Sequence, residues 1–269
     1  WGGGRGGRVT GQKPKKTVLS RGGVKIPGAR LPFYGMYAIM NCMNGRGTCT
    51  AAVFDLDGTL IDSMQIWREV DEEFFARRGM PVPASYQEEI AHLGFTESAR
   101  YTVRRYLPRE SVPAVLEEWR AQVAEKYAAA DAGKYFKPGA LGYVRALHAA
   151  GVKLGVATAS APELFLPVLG AGGIAELFSA FATVDEAGAH KGCPDVFLLT
   201  AEKLGVLPSE CVAFEDNLTA LRAAKSAGMF AVGVFDEASR ALEPQIRREA
   251  DLYILNFSEM KGSRLFGGI

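Results

Sequence analysis

The chain has 269 residues, 48% of them apolar, enough to bury a sizeable core in one or two domains. Its formal charge of +1 conceals an asymmetry, because residues 1–50 carry nine Lys or Arg and no acid while residues 51–269 hold 22 basic and 30 acidic side chains. That acidic body argues against a nucleic-acid surface, and no apolar run approaches the ~20 residues that a membrane helix needs.

Residues 1–50 contain twelve glycines, begin at Trp1 rather than Met, and show no helical or strand period until about Leu31. A transit peptide would share the arginines and the lack of acid but would also be rich in serine, and Ser20 stands alone. The segment reads as a basic, glycine-rich extension that the activity does not need. The expected origin is a cloning residue or translated sequence upstream of a start at Met36, Met40 or Met43, and the composition predicts poor order. Cys42, Cys49, Cys193 and Cys211 form no CxxC pair, which argues against a disulfide framework or zinc site and fits a reducing, cytoplasmic compartment.

From Thr50 the pattern becomes regular. "TAAVFDL" (50–56) is a short, continuous apolar run of the kind that forms a fully buried strand, and Asp55 and Asp57 stand at its end. Residues 64–136 then contain no convincing strand. "MQIWREVDEEFFARRG" and "VPAVLEEWRAQVAEKY" repeat apolar residues at helical spacing, with Gly79 as a C-cap of the first. Strands resume at "VKLGVATA" (152–159), "CVAFED" (211–216) and "MFAVGVF" (229–235), with "ADLYIL" (250–255) as a further candidate. Helices are expected at about 139–150, 162–171, 194–204, 217–227 and 238–248.

This alternation implies βαβ units and an α/β fold: a Rossmann-like, doubly wound parallel sheet with an inserted all-helical cap. The domain plan is an extension (1–50), a core (51–62 and 137–260), a cap (63–136) and a tail (261–269). An insert after the end of a strand sits over the ligand crevice of such a sheet, so the helical module reads as a lid.

Four polar clusters mark strand ends. They are Asp55 and Asp57 with Gly58 and Thr59; Thr158 and Ser160 in "ATAS"; Lys191 in "HKGCPD"; and Glu215 and Asp216 in "FEDN". Parallel strands end at one edge of the sheet, so these groups should converge. Four carboxylates, an amine and two hydroxyls suit a hard, oxygen-loving cation beside a phosphate. Taken singly, each cluster has a bland reading. Asp-x-Asp-Gly can be an Asx turn, Lys191 a solvated lysine leading a helix, and Ser160 an N-cap before a helix at Pro162. His92, His148 and His190 have no partners at metal or triad spacing, and Cys193 and Cys211 read as packing residues.

Together, in this order and over about residues 51–260, the clusters resemble the haloacid dehalogenase superfamily of Asp-nucleophile phosphotransferases. The helical insert after the first motif resembles its C1-capped branch, which includes phosphatases and β-phosphoglucomutases. The resemblance implies that Asp55 is the nucleophile of an aspartyl-phosphate, splitting one hard step into two. It implies that Asp57 protonates the leaving alkoxide and then activates water. Thr158 and Lys191 would complete the catalytic set by holding the phosphoryl group and offsetting charge. Mg2+ is the implied cofactor, held by Asp55, Asp57 (through its backbone carbonyl), Glu215 and Asp216. Two positions depart from the pattern: Gly192 replaces the usual proline of the third motif, and Ala220 stands where the fourth usually has glycine.

Asp57 argues against halide chemistry, and the absence of lysine from residues 63–93 argues against phosphonate hydrolysis. Trp67 stands where mutases of this branch carry a histidine. The expected activity is therefore hydrolysis of a small phosphorylated metabolite, a sugar phosphate or phosphoglycolate-like compound, by a monomer or weak homodimer without nucleic-acid or membrane partners. A β-phosphoglucomutase-like mutase is the alternative. A regulatory or scaffold protein retaining the fold is the non-enzyme alternative, and it would be expected to lose Asp55 or Asp57. Expected substrate contacts are Ser63, Trp67, Phe95, Thr96 and Arg100 in the cap, with "LGFTESAR" as the specificity segment, and Ser160 in the core.

Overall fold

The structure is a computed structural model that describes residues 1–3, 49–128 and 135–266. Most of the expected extension at 1–50, the end of the tail and residues 129–134 lie outside the described residues.

Among the described residues, β1 (Ala51–Phe54), β2 (Lys153–Thr158), β3 (Ala180–Thr183), β4 (Cys211–Glu215), β5 (Phe230–Val234) and β6 (Leu252–Ile254) form one sheet. Its order is β3-β2-β1-β4-β5-β6, and every neighbouring pair is parallel. The expected doubly wound sheet is thus present. Strand order reverses at β1, which pairs with β2 on one side and β4 on the other; an open α/β sheet opens its ligand crevice at such a point.

Two strand and helix expectations need correction. β3 was not anticipated: it is a four-residue edge strand, half of it alanine, and only its pairing with β2 makes it a strand. The helix expected over 238–248 begins at Glu243 after a 3-10 turn at Arg240–Leu242, with Pro244 in its first turn, where a missing N–H costs nothing.

Both sheet faces are covered, which is why the strands read as unbroken apolar runs. Phe54, Val156, Phe214 and Val232 pack on one face against Tyr143, Phe165 and Phe257. Ala51, Val53, Ala157 and Ala213 pack on the other against Phe197, Leu204 and Ala224. The helices supplying these contacts are α5 (Ala140–Ala149), α6 (Pro162–Ala171), α8 (Asp195–Leu204) and α9 (Leu218–Ser226), with Phe257 from a 3-10 turn at Phe257–Met260; α7 (Val184–Ala187) and α10 (Glu243–Glu249) complete the layers. The Phe54 and Phe214 rings stack with centroids 4.7 Å apart, locking β1 to β4 one residue before Asp55 and Glu215.

Between β1 and β2 the chain forms α1 (Met64–Ala76), α2 (Tyr86–Ile90), α3 (Phe95–Tyr106) and α4 (Val112–Ala128). These helices share their own apolar core of Phe74, Phe75, Tyr86, Phe95, Val115 and Trp119. Arg78 lies over the Phe74 ring at 3.7 Å and pairs with Glu110 at 2.6 Å and Glu118 at 2.7 Å, tying α1 to α4. The chain enters and leaves this insert side by side. Asp62 N donates to Tyr135 O at 2.6 Å and Lys137 N to Leu60 O at 2.9 Å, while Ile61 and Phe136 form an antiparallel bridge. No helix among the described residues is long and apolar enough to cross a membrane.

Two outcomes follow from this packing. Phe214→Ala should cost about 3–5 kcal/mol of stability, because it empties a fully buried site beside Phe54; urea unfolding measures it. Asp71 on α1 is buried against the Gln87 amide, and burial, reinforced by the Glu72 charge, pushes its carboxyl up to about 7. The folded chain therefore holds this proton more tightly than the unfolded one. The stability it confers is present below pH 3.8 and is lost as pH rises through about 7. Asp71→Asn keeps the acceptor and should remove that loss, raising stability at pH 8 by on the order of 2 kcal/mol. Urea midpoints at pH 5 and pH 8 read the difference.

Candidate active site

Asp55 follows the last residue of β1 and is 3% exposed, with its N–H bonded to Phe214 O at 3.1 Å. The chain then folds back tightly: Gly58 N donates to Ile61 O at 2.8 Å and Ile61 N to Leu56 O at 2.8 Å. Gly58 takes φ +86°, which side-chain-bearing residues rarely adopt, and a Cβ there would stand 2.7 Å from Asp216 Oδ2. The first loop and the loop after β4 thus touch through a glycine.

Around Asp55 the structure gathers three more of the expected residues. Lys191 pairs with the Asp55 carboxylate and lies 2.6 Å from Glu215 Oε1. Its backbone N–H donates to His92 O at 2.8 Å, so the loop before α8 is tied to the turn between α2 and α3. Glu215 ends β4 fully buried, and Asp216 follows it. Asp216 Oδ1 accepts from Thr59 at 2.9 Å and Oδ2 from Ser239 at 3.3 Å.

Charge is the dominant feature here. Burial pushes the Asp55 carboxyl up, with Lys191 pulling it back. Burial raises Glu215 well above the usual carboxylate range, with the Asp55 charge adding, and takes Asp216 to about 7 for the same two reasons. Burial also works against the charge on Lys191, but Asp55 and Glu215 hold its ammonium above its ordinary value. One oxygen from each of Asp55, Glu215 and Asp216 lies within 4.8 Å of the others. Three buried carboxylates against one ammonium leave negative charge that a divalent cation would balance. An all-oxygen donor set fits a hard cation such as Mg2+.

The Asp57 carboxylate stands outside that set. Ser63 donates to its Oδ1 at 2.5 Å, Trp67 Nε1 to the same oxygen at 2.9 Å, and Ser160 Oγ to Oδ2. Ser63 and Trp67 come from the start of the helical insert, so the insert holds one of the two motif carboxylates. Ser160 does not cap α6, whose N-cap position is Ala161 without a side-chain bond; Asp57 draws the hydroxyl instead. Thr158, at the end of β2, is buried, and its Oγ1 accepts from Ser160 N at 3.0 Å.

The remaining insert residues divide. Phe95 is buried between Trp67 and Trp119, ring centroids 6.4 and 5.8 Å away, and its N–H donates to Ala159 O at 3.1 Å. Thr96 and Arg100 face elsewhere. Together with Asp185 and His190 they line a cleft of about 430 Å³, Thr96 N donates to Asp185 at 3.1 Å, and Arg100 is exposed and paired with Glu97. No described contact joins either residue to Asp55 or Asp57.

Sequence reasoning assigned no role to Thr59 or Ser239. Thr59 lies within the first motif, but its partner is 157 positions away, and nothing local marks Ser239. The departure at Gly192 has a steric reason: a Cβ there would lie 2.9 Å from Thr219 and 3.0 Å from His190. Ala220 is buried within α9.

Residues 49–228 match the haloacid dehalogenase-like hydrolase family. The "Probable pseudouridine-5'-phosphatase" of Drosophila melanogaster is 32% identical over 195 residues, covering 70% of this chain and 82% of that protein. A phosphoglycolate phosphatase of Salmonella paratyphi A is 28% identical over 236 residues, covering 76% of this chain and 90% of that protein. Among solved structures, CbbY from Rhodobacter sphaeroides in complex with phosphate superposes with a TM-score of 0.69 at 26% identity, covering 81% of this chain and 99% of that one.

Gly58→Ala combines an unfavourable φ with a contact on Asp216. It should lower stability by more than about 1 kcal/mol, measured by thermal unfolding of the purified chain.

Proposed function

This chain belongs to the haloacid dehalogenase-like hydrolases, and on that premise we propose that it is a Mg2+-dependent phosphomonoesterase acting on a small phosphorylated metabolite through an aspartyl-phosphate at Asp55. The observation that carries this reading is the meeting of Asp55, Lys191, Glu215 and Asp216 at the ends of two adjacent parallel strands. The relatives' names, a pseudouridine-5'-phosphatase and a phosphoglycolate phosphatase, support a compact phosphoester as substrate. The cysteine usage supports work in a reducing, cytoplasmic setting.

Asp55 attacks phosphorus; its bond to the phosphoryl group forms as the ester oxygen–phosphorus bond breaks. Lys191, paired with Asp55, offsets negative charge as phosphate approaches. Asp55, Glu215 and Asp216, with the backbone carbonyl of Asp57, would hold the cation, which when bound neutralises both the phosphate and the carboxylate that attacks it. Thr158 accepts the Ser160 N–H, which leaves its own hydroxyl proton for a phosphoryl oxygen. Asp57 gives a proton to the departing alkoxide, then takes one from the water that releases phosphate and regenerates Asp55. Ser63, Trp67 and Ser160 orient it for both transfers. The aromatic wall of Trp67, Phe95 and Trp119 supports a water-poor site under the cap.

Phosphate release should be screened over sugar phosphates, phosphoglycolate, nucleotides and pyridoxal phosphate, with Mg2+ and with EDTA. At least one class should turn over with Mg2+ and cease with EDTA, and activity indifferent to EDTA overturns the metal role. Asp55→Asn should lower kcat by at least about a thousandfold, and wild-type turnover in that variant overturns the nucleophile.

A further inference from the structure

The second connection between insert and core carries a buried ammonium that the reaction does not use. Lys137 is 9% exposed, with Nζ 2.5 Å from Asp236 Oδ2 and 3.4 Å from Asp62 Oδ1. It also donates to Phe235 O at 3.5 Å. Asp62 belongs to the first connection and Asp236 to the loop after β5. One side chain therefore ties together both connections of the insert and a third segment of the core.

That third segment reaches the carboxylate set. Asp236 is 2% exposed; its Oδ1 accepts from Ala238 N at 2.7 Å and its backbone oxygen from Ser239 N at 3.2 Å, closing a tight turn. The hydroxyl of Ser239 then donates to Asp216 Oδ2. A contact chain runs from the insert's connections through Lys137 and Asp236 to Ser239 and Asp216. A carboxylate as buried as Asp236 is tolerated only when paired, so without the Lys137 ammonium the turn must shift or admit water, and Ser239 moves with it.

We propose that Lys137 is a positioning residue that couples the seating of the helical insert to the orientation of Asp216, so that insert position and cation affinity depend on one another. The inference rests on the phosphatase reading, since it takes Asp216 as a cation ligand. Coupling of this kind is reciprocal: if the seated insert favours cation binding, the cation favours the seated insert by the same factor.

The test uses the full chain and Mg2+ alone, without substrate. Calorimetric titration should show Mg2+ affinity reduced by about tenfold in Lys137→Met, the scale seen when partners of metal ligands are removed, and largely restored in Lys137→Arg. The double variant Lys137→Met with Asp236→Asn leaves no unpaired buried charge. It should remain folded by circular dichroism and should still bind Mg2+ weakly, because the tie to the connections is gone. Hydrogen exchange at residues 60–62 and 135–137 should slow on adding Mg2+ to the wild type and not in Lys137→Met or the double variant. Wild-type Mg2+ affinity in the folded double variant overturns the proposal, as does exchange in the wild type that Mg2+ leaves unchanged. A wild-type chain that binds no Mg2+ overturns the proposed function together with this inference. One that binds normally while the variants match it overturns this inference alone.

Discussion

Three carboxylates and one ammonium share the buried ends of β1 and β4, and much of the rest of the structure makes that concentration of charge tolerable. Taking a carboxylate out of water costs several kcal/mol, and the cost is offset only by partners held in place beforehand. The partners come from far apart in the chain: Lys191 from the loop before α8, Thr59 from the first turn, and Ser239 from the loop after β5. A parallel sheet suits this task because all its strands end at one edge, and the stacked Phe54 and Phe214 rings fix the two central strands one residue before the charges begin.

The helical insert enters this arrangement most directly through Asp57. Its first helix supplies Trp67 and the residue preceding that helix is Ser63, both bonded to the same carboxylate oxygen. Asp55 touches the insert only indirectly, through Lys191 and its backbone bond to His92, while Asp57 is bonded directly by both core and insert. The two carboxylates of one short motif stand 3% and partly exposed, respectively, and answer to different parts of the molecule. On the proposed mechanism, that geometry would divide the labour between a fixed nucleophile and an adjustable proton carrier.

The parts legible in the sequence are those with a local signature. The apolar run before Asp55, the helical spacing of Met64–Ala76 and Val112–Ala128 and the acids after Phe214 each announce themselves within a few residues. What stayed hidden depends on partners distant in the chain. Ser160 has a local alternative as a helix cap, and only the folded chain shows that Asp57 outcompetes it. Lys137 reads as one more surface lysine until Asp236, 99 positions later, is brought beside it. β3, half alanine, has no strand signature of its own and exists because β2 offers it an edge.

The side-by-side entry and exit of the insert also bear on how the chain folds. β1 and β2 are neighbours in the sheet although Ala51 pairs with Lys153, about a hundred residues on. Closing so large a loop before any contact rewards it is slow. In the folded insert, packed around Phe74, Phe75 and Trp119, the bonds between Leu60 and Lys137 and between Asp62 and Tyr135 hold its two ends together. If the insert forms first, the search for the β1–β2 pairing becomes that of a short loop. An insert that folds on its own would act as a clasp, making the β1–β2 pairing a nearby one although Ala51 and Lys153 stand about a hundred residues apart.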